Sequence, residues 1–393
     1  MYFLLPANPH CINIMISPFI VNDRNLFLER YPANQVTRSL QAWDSADEYI
    51  INHVQESELL THESHILVMN DNFGAISLNF PLQKVTTVSD SYISECGLKN
   101  NAEHNHLSLE NLTQITSVSE LPADVDIVLY KIPKSNNLLK EQLQKIRQTF
   151  NSKLIFIAVD KAKNIHSNTL KYFERYLGTT TTSLAVKKSR LVFSELNAEV
   201  TDTTFPIVKR WKTEVHQFEI VNHANVFARD KLDIGAQLLL AHLPNVTEHE
   251  HLIDLGCGNG VLGLHILAQQ PNAKLTFSDE SYMAVASARD TVAHNLPQLL
   301  DQCRFMVNDC LTDEQASSAN KILCNPPFHQ QNATTDHIAW QMFNDCYRVL
   351  KKGGTLTIVG NRQLGYHIKL KRIFGNATLI ASNKKFVIFS AKK

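Results

Sequence analysis

The sequence predicts an α/β fold of two tandem doubly wound, Rossmann-like domains, the second intact and the first a degenerate copy. Three observations carry that expectation. Apolar strand-like runs alternate with helical stretches through both halves, the rhythm of parallel sheets covered by helices. Five short segments of the first half recur in the same order in the second, at offsets between 183 and about 202 residues. The length of 393 residues, with 44% hydrophobic and 19% charged, suits two cores rather than one.

The second half is the more legible. His251–Leu255 reads as a buried strand, a Gly-rich turn follows, and residues 261–269 form a helix. Strands are expected at 274–278, 304–307, 321–324 and 355–359, and helices at 281–296 and 338–350. Gly353-Gly354 is expected to stop the last helix. In the first half, residues 65–70 lead into Asp71-Asn72-Phe73-Gly74, answering Asp254 to Gly258. The segments 88–92, 132–134, 154–159 and 187–194 answer 277–282, 325–327, 356–359 and 384–390.

These echoes place a first domain at 23–195, a polar, Thr-rich linker at 196–205 and a second domain at 206–393. Residues 1–22 read as an N-terminal extension, with Met15 a candidate initiator. The apolar start lacks a basic head and contains Pro6, Pro9 and Pro18, so it does not read as a signal peptide. No stretch of about 18 apolar residues offers a membrane span. Seven cysteines without a CxxC pair suit the reducing cytoplasm. The histidines lack metal-ligand spacing, so no metal is expected.

A net charge of zero conceals alternating blocks. Residues 1–130 carry 16 acidic and 5 basic side chains, and residues 131–190 carry 3 acidic and 13 basic. Such blocks can present a basic face to a polyanion while the chain stays neutral. In the second block Lys131, Lys134, Lys161, Lys163, Lys187, Lys188 and Arg190 are the expected contacts to such a polyanion.

The chemistry concentrates in the second half. Asp254-Leu255-Gly256-Cys257-Gly258-Asn259-Gly260 lies between a strand and a helix, where glycines admit a ligand close to unpaired N–H groups. Alone, this loop fits either a nicotinamide or an S-adenosylmethionine site. Asp254 would repel a pyrophosphate and suits a cofactor with a cationic tail. Asp279, ending the next strand, is placed to accept ribose hydroxyls, and Asn308-Asp309, ending the third, to accept an adenine amine.

Asn325-Pro326-Pro327-Phe328 decides the chemistry. The prolines remove N–H donors, so the loop presents the Asn325 side-chain oxygen and the Pro326 carbonyl as acceptors for one planar amine. Phe328 offers a face on which a flipped base stacks.

On these motifs the chain resembles the class I S-adenosylmethionine-dependent methyltransferases. Asn325 to His329, with the lead-in 225–235, resembles their guanine-N2 ribosomal RNA branch. Segments 40–44, 46–49, 70–75 and 89–95 resemble the members acting on guanine 1835 of 23S ribosomal RNA. The resemblance implies two methyltransferase domains, the second catalytic with a seven-stranded sheet ending in an antiparallel hairpin. It also implies S-adenosylmethionine as cofactor, 23S ribosomal RNA as partner and a monomer. Two other readings stay open: a methyltransferase for another planar amine (small-subunit guanine N2, adenine N6, a protein glutamine), or a non-catalytic RNA-binding assembly factor.

Overall fold

The computed structural model describes residues 18–32, 41–151, 153–197, 204–327 and 333–393. A hairpin of β1 (Phe19–Val21) and β2 (Arg24–Leu26) opens the described chain, followed by α1 (Ser45–Glu56). The first sheet comprises β3 (His65–Met69), β4 (Lys84–Ser89), β5 (Leu112–Thr116), β6 (Ile127–Lys131), β7 (Ile155–Lys161), β8 (Thr180–Thr182) and β9 (Ser189–Ser194). Helices α2 (Tyr92–His104), α3 (Asn136–Thr149) and α4 (Ser167–Tyr176) connect them. A second hairpin, β10 (Lys209–Lys212) and β11 (Glu219–Asn222), then precedes α5 (Ile234–Leu240).

The second sheet repeats the first with β12 (His251–Leu255), β13 (Lys274–Asp279), β14 (Cys303–Val307), β15 (Ala319–Cys324), β16 (Leu350–Asn361), β17 (Thr378–Ser382) and β18 (Phe386–Lys392). Its helices are α6 (Val261–Gln269), α7 (Tyr282–Asn295), α8 (Ala333–Val349) and α9 (Tyr366–Phe374). Spatial orders are β5-β4-β3-β6-β7-β9-β8 and β14-β13-β12-β15-β16-β18-β17, the same topology twice. In each, the penultimate strand in space runs antiparallel to its neighbours and the rest are parallel. The apolar runs of the central strands are buried on both faces, as helices above and below require.

Strand register aligns the copies residue by residue. His65 pairs with Lys84 as His251 does with Lys274, and Ile66 with Ile127 as Leu252 with Lys321. The ring of His65 bridges the Asp124 carbonyl (2.9 Å) and the Thr86 hydroxyl (2.8 Å). His251 does the same with Ser318 (3.2 Å) and Thr276 (2.9 Å). The alignment corrects the expected echo by one residue. Lys131, not Ile132, stands at the position of Asn325, and Ser89 stands at that of Asp279.

Two expected boundaries also shift. Phe19 and Val21 are 1% and 2% exposed within the first core, so the first domain begins before residue 23. Leu196 and Phe205, inside the expected linker, are buried in the core beneath α3 and α4, with residues 198–203 outside the description. In the second half, α8 runs straight into β16 and the glycine pair lies inside the strand. Pairing of Ala319 with Leu350 extends the sheet there, and Gly353 N–H donates to Lys393 C=O at 2.8 Å.

The copies meet through equivalent loops. Ser91 and Ser281 form an antiparallel bridge, Tyr92 N–H donating to Glu280 C=O at 2.9 Å and Tyr282 N–H to Asp90 C=O at 3.1 Å. That reciprocity is the signature of an isologous contact between like halves. Ala224, Val226 and Met283 of the second copy complete the core under α3.

Candidate active site

The glycine loop closes β12 and opens α6. Gly256, Gly258 and Gly260 have φ of +70°, +52° and +76°, the left-handed region that a side chain disfavours. Their surroundings differ. A Cβ on Gly260 would lie 2.9 Å from the Ala288 backbone, so this glycine lets α6 pack on α7. One on Gly258 would enter open space, so packing does not exclude it; the left-handed backbone and the room left for a ligand do. Gly256 and Cys257 donate their N–H groups to Ser278 C=O at 2.8 and 3.1 Å, which fixes the turn. Asn259 is turned elsewhere: its amide donates to Asn222 at 2.8 Å and its oxygen accepts from Val261 N–H. Only its backbone remains for the expected cofactor role.

The acidic positions converge on this loop. Asp254 is fully buried in β12, and Oδ2 accepts from Gly263 N–H at 3.0 Å. Burial pushes its carboxyl up to about 7, the Gly263 bond opposing and the charge of Asp279 adding to the rise. Asp279 ends β13, its Oδ2 accepting from Gly258 N–H at 3.0 Å and Oδ1 from Ser281 N–H at 3.1 Å. Burial raises its carboxyl as well. Ser281 itself, not Asp279, caps α7. Each Asp279 oxygen keeps a lone pair beyond its backbone bond, the pattern needed to grip two adjacent hydroxyls.

Native interiors rarely leave polar atoms without partners, and a group of them gathered at one place is suited to a bound molecule. Among the described residues Asp254 Oδ1, both polar atoms of the Asn308 amide and Asn325 Oδ1 are buried without a hydrogen bond. They belong to the ends of β12, β14 and β15, along one edge of the sheet. Asp309 is buried beside Asn308, and its C=O accepts from Thr312. Asn325 C=O lies 3.5 Å from where a Gly256 Cβ would stand, so the two loops adjoin. Pro326 is buried and Pro327 exposed; Phe328 lies outside the described residues. The donor set fits S-adenosylmethionine: carboxylates for hydroxyls and ammonium, an amide for adenine, and open space over Gly258.

Asp254 is held there at a cost. A buried acid titrating near 7 is less stabilising ionised than protonated, so its contribution falls as pH rises from about 4 to about 7. Asp254→Asn should therefore raise the melting temperature at pH 8 and not at pH 4, while weakening cofactor binding. Calorimetric scans at both pH values check the sign, and a variant less stable at pH 8 contradicts it.

The first copy has lost each of these features. By register, Val68 replaces Asp254, Ser89 replaces Asp279, Ser117 replaces Asn308 and Lys131 replaces Asn325. Asn70 keeps the left-handed turn of Gly256, at φ +63°, but its amide donates to Lys131 C=O and Gln142 across the former cleft. The Lys131 ammonium lies 2.5 Å from the fully buried Asp47. Burial alone would lower its pKa; Asp47 and Asp44 hold it above the ordinary value.

The other basic residues expected to meet RNA are spread along the same edge of the first copy. Lys134, Lys163, Lys187 and Lys188 are exposed, while Lys161 is half-buried and 3.3 Å from Asp44. Arg190 is also half-buried, and Lys187 pairs with Glu48. Among the described residues no cluster of three or more His, Cys, Asp or Glu could hold a metal. No helix among them is long and apolar enough to cross a membrane.

Comparison with known proteins agrees with this fold. Residues 17–198 match the RLMG N-terminal domain family and residues 217–390 the methyltransferase small domain family. A solved T. thermophilus 16S rRNA N2 G1207 methyltransferase, in complex with AdoMet and guanosine, shares the two-domain fold. Its TM-score is 0.74 at 17% identity, over 96% of this chain and 97% of that one. Fold and site define a class I S-adenosylmethionine-dependent methyltransferase of two tandem copies. "Ribosomal RNA large subunit methyltransferase G" of Colwellia psychrerythraea is 55% identical, covering 96% of this chain and all of the relative. That of Aeromonas salmonicida is 50% identical, over 94% and 97%. The chain belongs to the ribosomal RNA large subunit methyltransferase G family.

Proposed function

We propose that this chain methylates the exocyclic N2 of a guanine in 23S ribosomal RNA, at guanine 1835 by family resemblance, as a monomer in the cytoplasm. Asn325 Oδ1, buried and unpartnered among the described residues and beside a proline that cannot donate, carries the reading. Two acceptors facing one atom suit an amine, which has two hydrogens to give, better than a hydroxyl, which has one, or a carbon, which has none to donate. Bound S-adenosylmethionine supplies an electrophilic methyl group. Asp279 holds the ribose, Asn308 with Asp309 the adenine, and the Asp254–Gly260 loop the methionine end. Asn325 Oδ1 and Pro326 C=O hold both N2 hydrogens of a guanine taken from its stack onto Phe328, so that the nitrogen lone pair faces the methyl group. Positioning and fixed dipoles supply the rate. No strong base is required, because the proton becomes acidic only after nitrogen is alkylated.

The test is transfer of labelled methyl to large-subunit RNA followed by digestion to nucleosides. Label is expected in N2-methylguanosine. Label in N6-methyladenosine, or none in the RNA, overturns the reading.

The first copy is proposed to grip RNA. Lys188 supports this: it is exposed at a hairpin tip and adopts a left-handed φ of +66°. That conformation costs an ordinary side chain roughly 1–2 kcal/mol, a strain that holds its ammonium outward, whereas the ammonium of its neighbour Lys187 is taken by Glu48. Lys131, committed to Asp47, is set aside from this role. Reversing Lys134, Lys163 and Lys188 to Glu should flatten the salt dependence of RNA binding by about 0.7 log units per lost contact. An unchanged slope removes these lysines from the interface.

A further inference from the structure

We propose that Asp90, a residue of the inactive copy, is a positioning residue for the cofactor carboxylate Asp279 of the active one. Asp90 follows β4, is 6% exposed, and stands at the seam between the copies. Its Oδ1 accepts from the Ser117 hydroxyl at 2.6 Å and from Met283 N–H at 2.9 Å. Its Oδ2 accepts from the Asn225 amide and the Ser281 hydroxyl, both at 2.7 Å. All four partners are donors, and three belong to the second copy.

Ser281 is the link that matters. Its hydroxyl donates to Asp90 while accepting from Ala284 N–H at 3.1 Å, so both of its roles are used and its rotamer is fixed. Its backbone N–H donates to Asp279 Oδ1 at 3.1 Å. A short chain of bonds thus runs from Asp90 through Ser281 to Asp279, and Met283 N–H ties the first turn of α7 to the same anchor. A carboxylate at this helix N-terminus also complements its dipole.

The seam is symmetric in backbone and asymmetric in side chains. The counterpart of Asp90 is Glu280, whose carboxylate accepts from the Ser91 hydroxyl at 2.6 Å. In the first copy the counterpart of Asp279 is Ser89, so a reciprocal clamp would have no carboxylate to orient. The four-donor anchor points toward the copy that retains one. Supporting groups of this kind hold a binding carboxylate within the fraction of an ångström that affinity requires.

The inference rests on Asp279 being the ribose acceptor, and the experiment separates the two. In the full chain, Asp90→Asn keeps the size but turns an amide nitrogen toward donors. Calorimetry should show S-adenosylmethionine bound about tenfold more weakly. The KM for RNA, and kcat at saturating cofactor, should stay within about twofold, since a group acting only on cofactor binding leaves both in place. Ser91→Ala, which cuts the Ser91–Glu280 bond in the same seam, should leave cofactor affinity unchanged. Ser281→Ala should reproduce the loss, and the double variant Asp90→Asn with Ser281→Ala should be no weaker than either alone. Should Asp90→Asn fail to fold, Ser281→Ala decides alone. Unchanged cofactor affinity in the deciding variant, or an equal loss in Ser91→Ala, overturns the proposal. Where Asp279→Ala itself leaves affinity intact, the ribose reading fails instead.

Discussion

Asn325→Ala should lower kcat roughly a thousandfold while leaving the dissociation constant of S-adenosylmethionine within about threefold, the pattern expected for a group that acts in the transition state. The argument begins with the loop. Cys324 is the last residue of β15, and prolines follow Asn325 at once, so no backbone N–H of Pro326 or Pro327 competes for its side-chain oxygen. That oxygen is buried and unpartnered among the described residues. A buried acceptor left open is costly in the free protein and is repaid only when a donor arrives. Held by two acceptors, a planar guanine amine is drawn toward the pyramidal geometry in which its lone pair is free. That gain is larger in the transition state than in the bound substrate, so kcat falls rather than KM rising. Asn325→Asp keeps the shape and the acceptor and should retain intermediate activity, with an anion in place of a dipole. Single-turnover rates and equilibrium dialysis of the cofactor check both halves. Near-normal turnover of Asn325→Ala sinks the assigned role.

Much of this site was legible because glycines, prolines and strand-ending acids leave local marks. His251–Leu255 and residues 261–269 appear in the structure as read, since the strand is a short apolar run and the helix starts from a left-handed glycine. The duplication was legible too, because three of the five echoes run from a strand end into a loop, where side chains shape a ligand edge, and the other two are apolar strand bodies. Its register was not. Insertions in the loops let Ile132-Pro133 masquerade as the counterpart of Asn325-Pro326, and only strand pairing placed Lys131 there. The role of Asp47 was invisible for a related reason. It looks like an ordinary acid in the first turn of α1 and finds Lys131 84 residues later in sequence only through the sheet. Asp90 lies inside the echo at 88–92, yet nothing local says that a carboxylate will gather donors from 191 and 193 residues away. Asn259 failed in the opposite direction. Its place among glycines suggested a ligand, but β11, which no motif marked, supplies Asn222 as its partner.

Asp279→Ala should weaken S-adenosylmethionine binding by about 1.5–3 kcal/mol, roughly 10- to 150-fold, while leaving kcat at saturating cofactor within a few-fold. Gly258 and Ser281 N–H groups each take one lone pair of the carboxylate and fix its plane, and the remaining lone pairs are left for hydroxyl donors. Removing the side chain loses those acceptors and also releases two backbone N–H groups, one of them in the glycine loop. The loss therefore includes some loosening of the loop, which Asp279→Asn separates. The amide can still accept from one N–H and should lie between wild type and alanine. A pH series sharpens the assignment. Burial raises the Asp279 carboxyl, and protonation replaces an acceptor with a donor, so wild-type cofactor affinity should fall as pH drops through the raised value. In Asp279→Ala that fall should shrink, leaving only the contribution of Asp254, whose carboxyl sits at about 7. Titration calorimetry across pH 5 to 9 distinguishes the two acids, and identical profiles in wild type and Asp279→Ala would return this residue to a purely structural role at the start of α7.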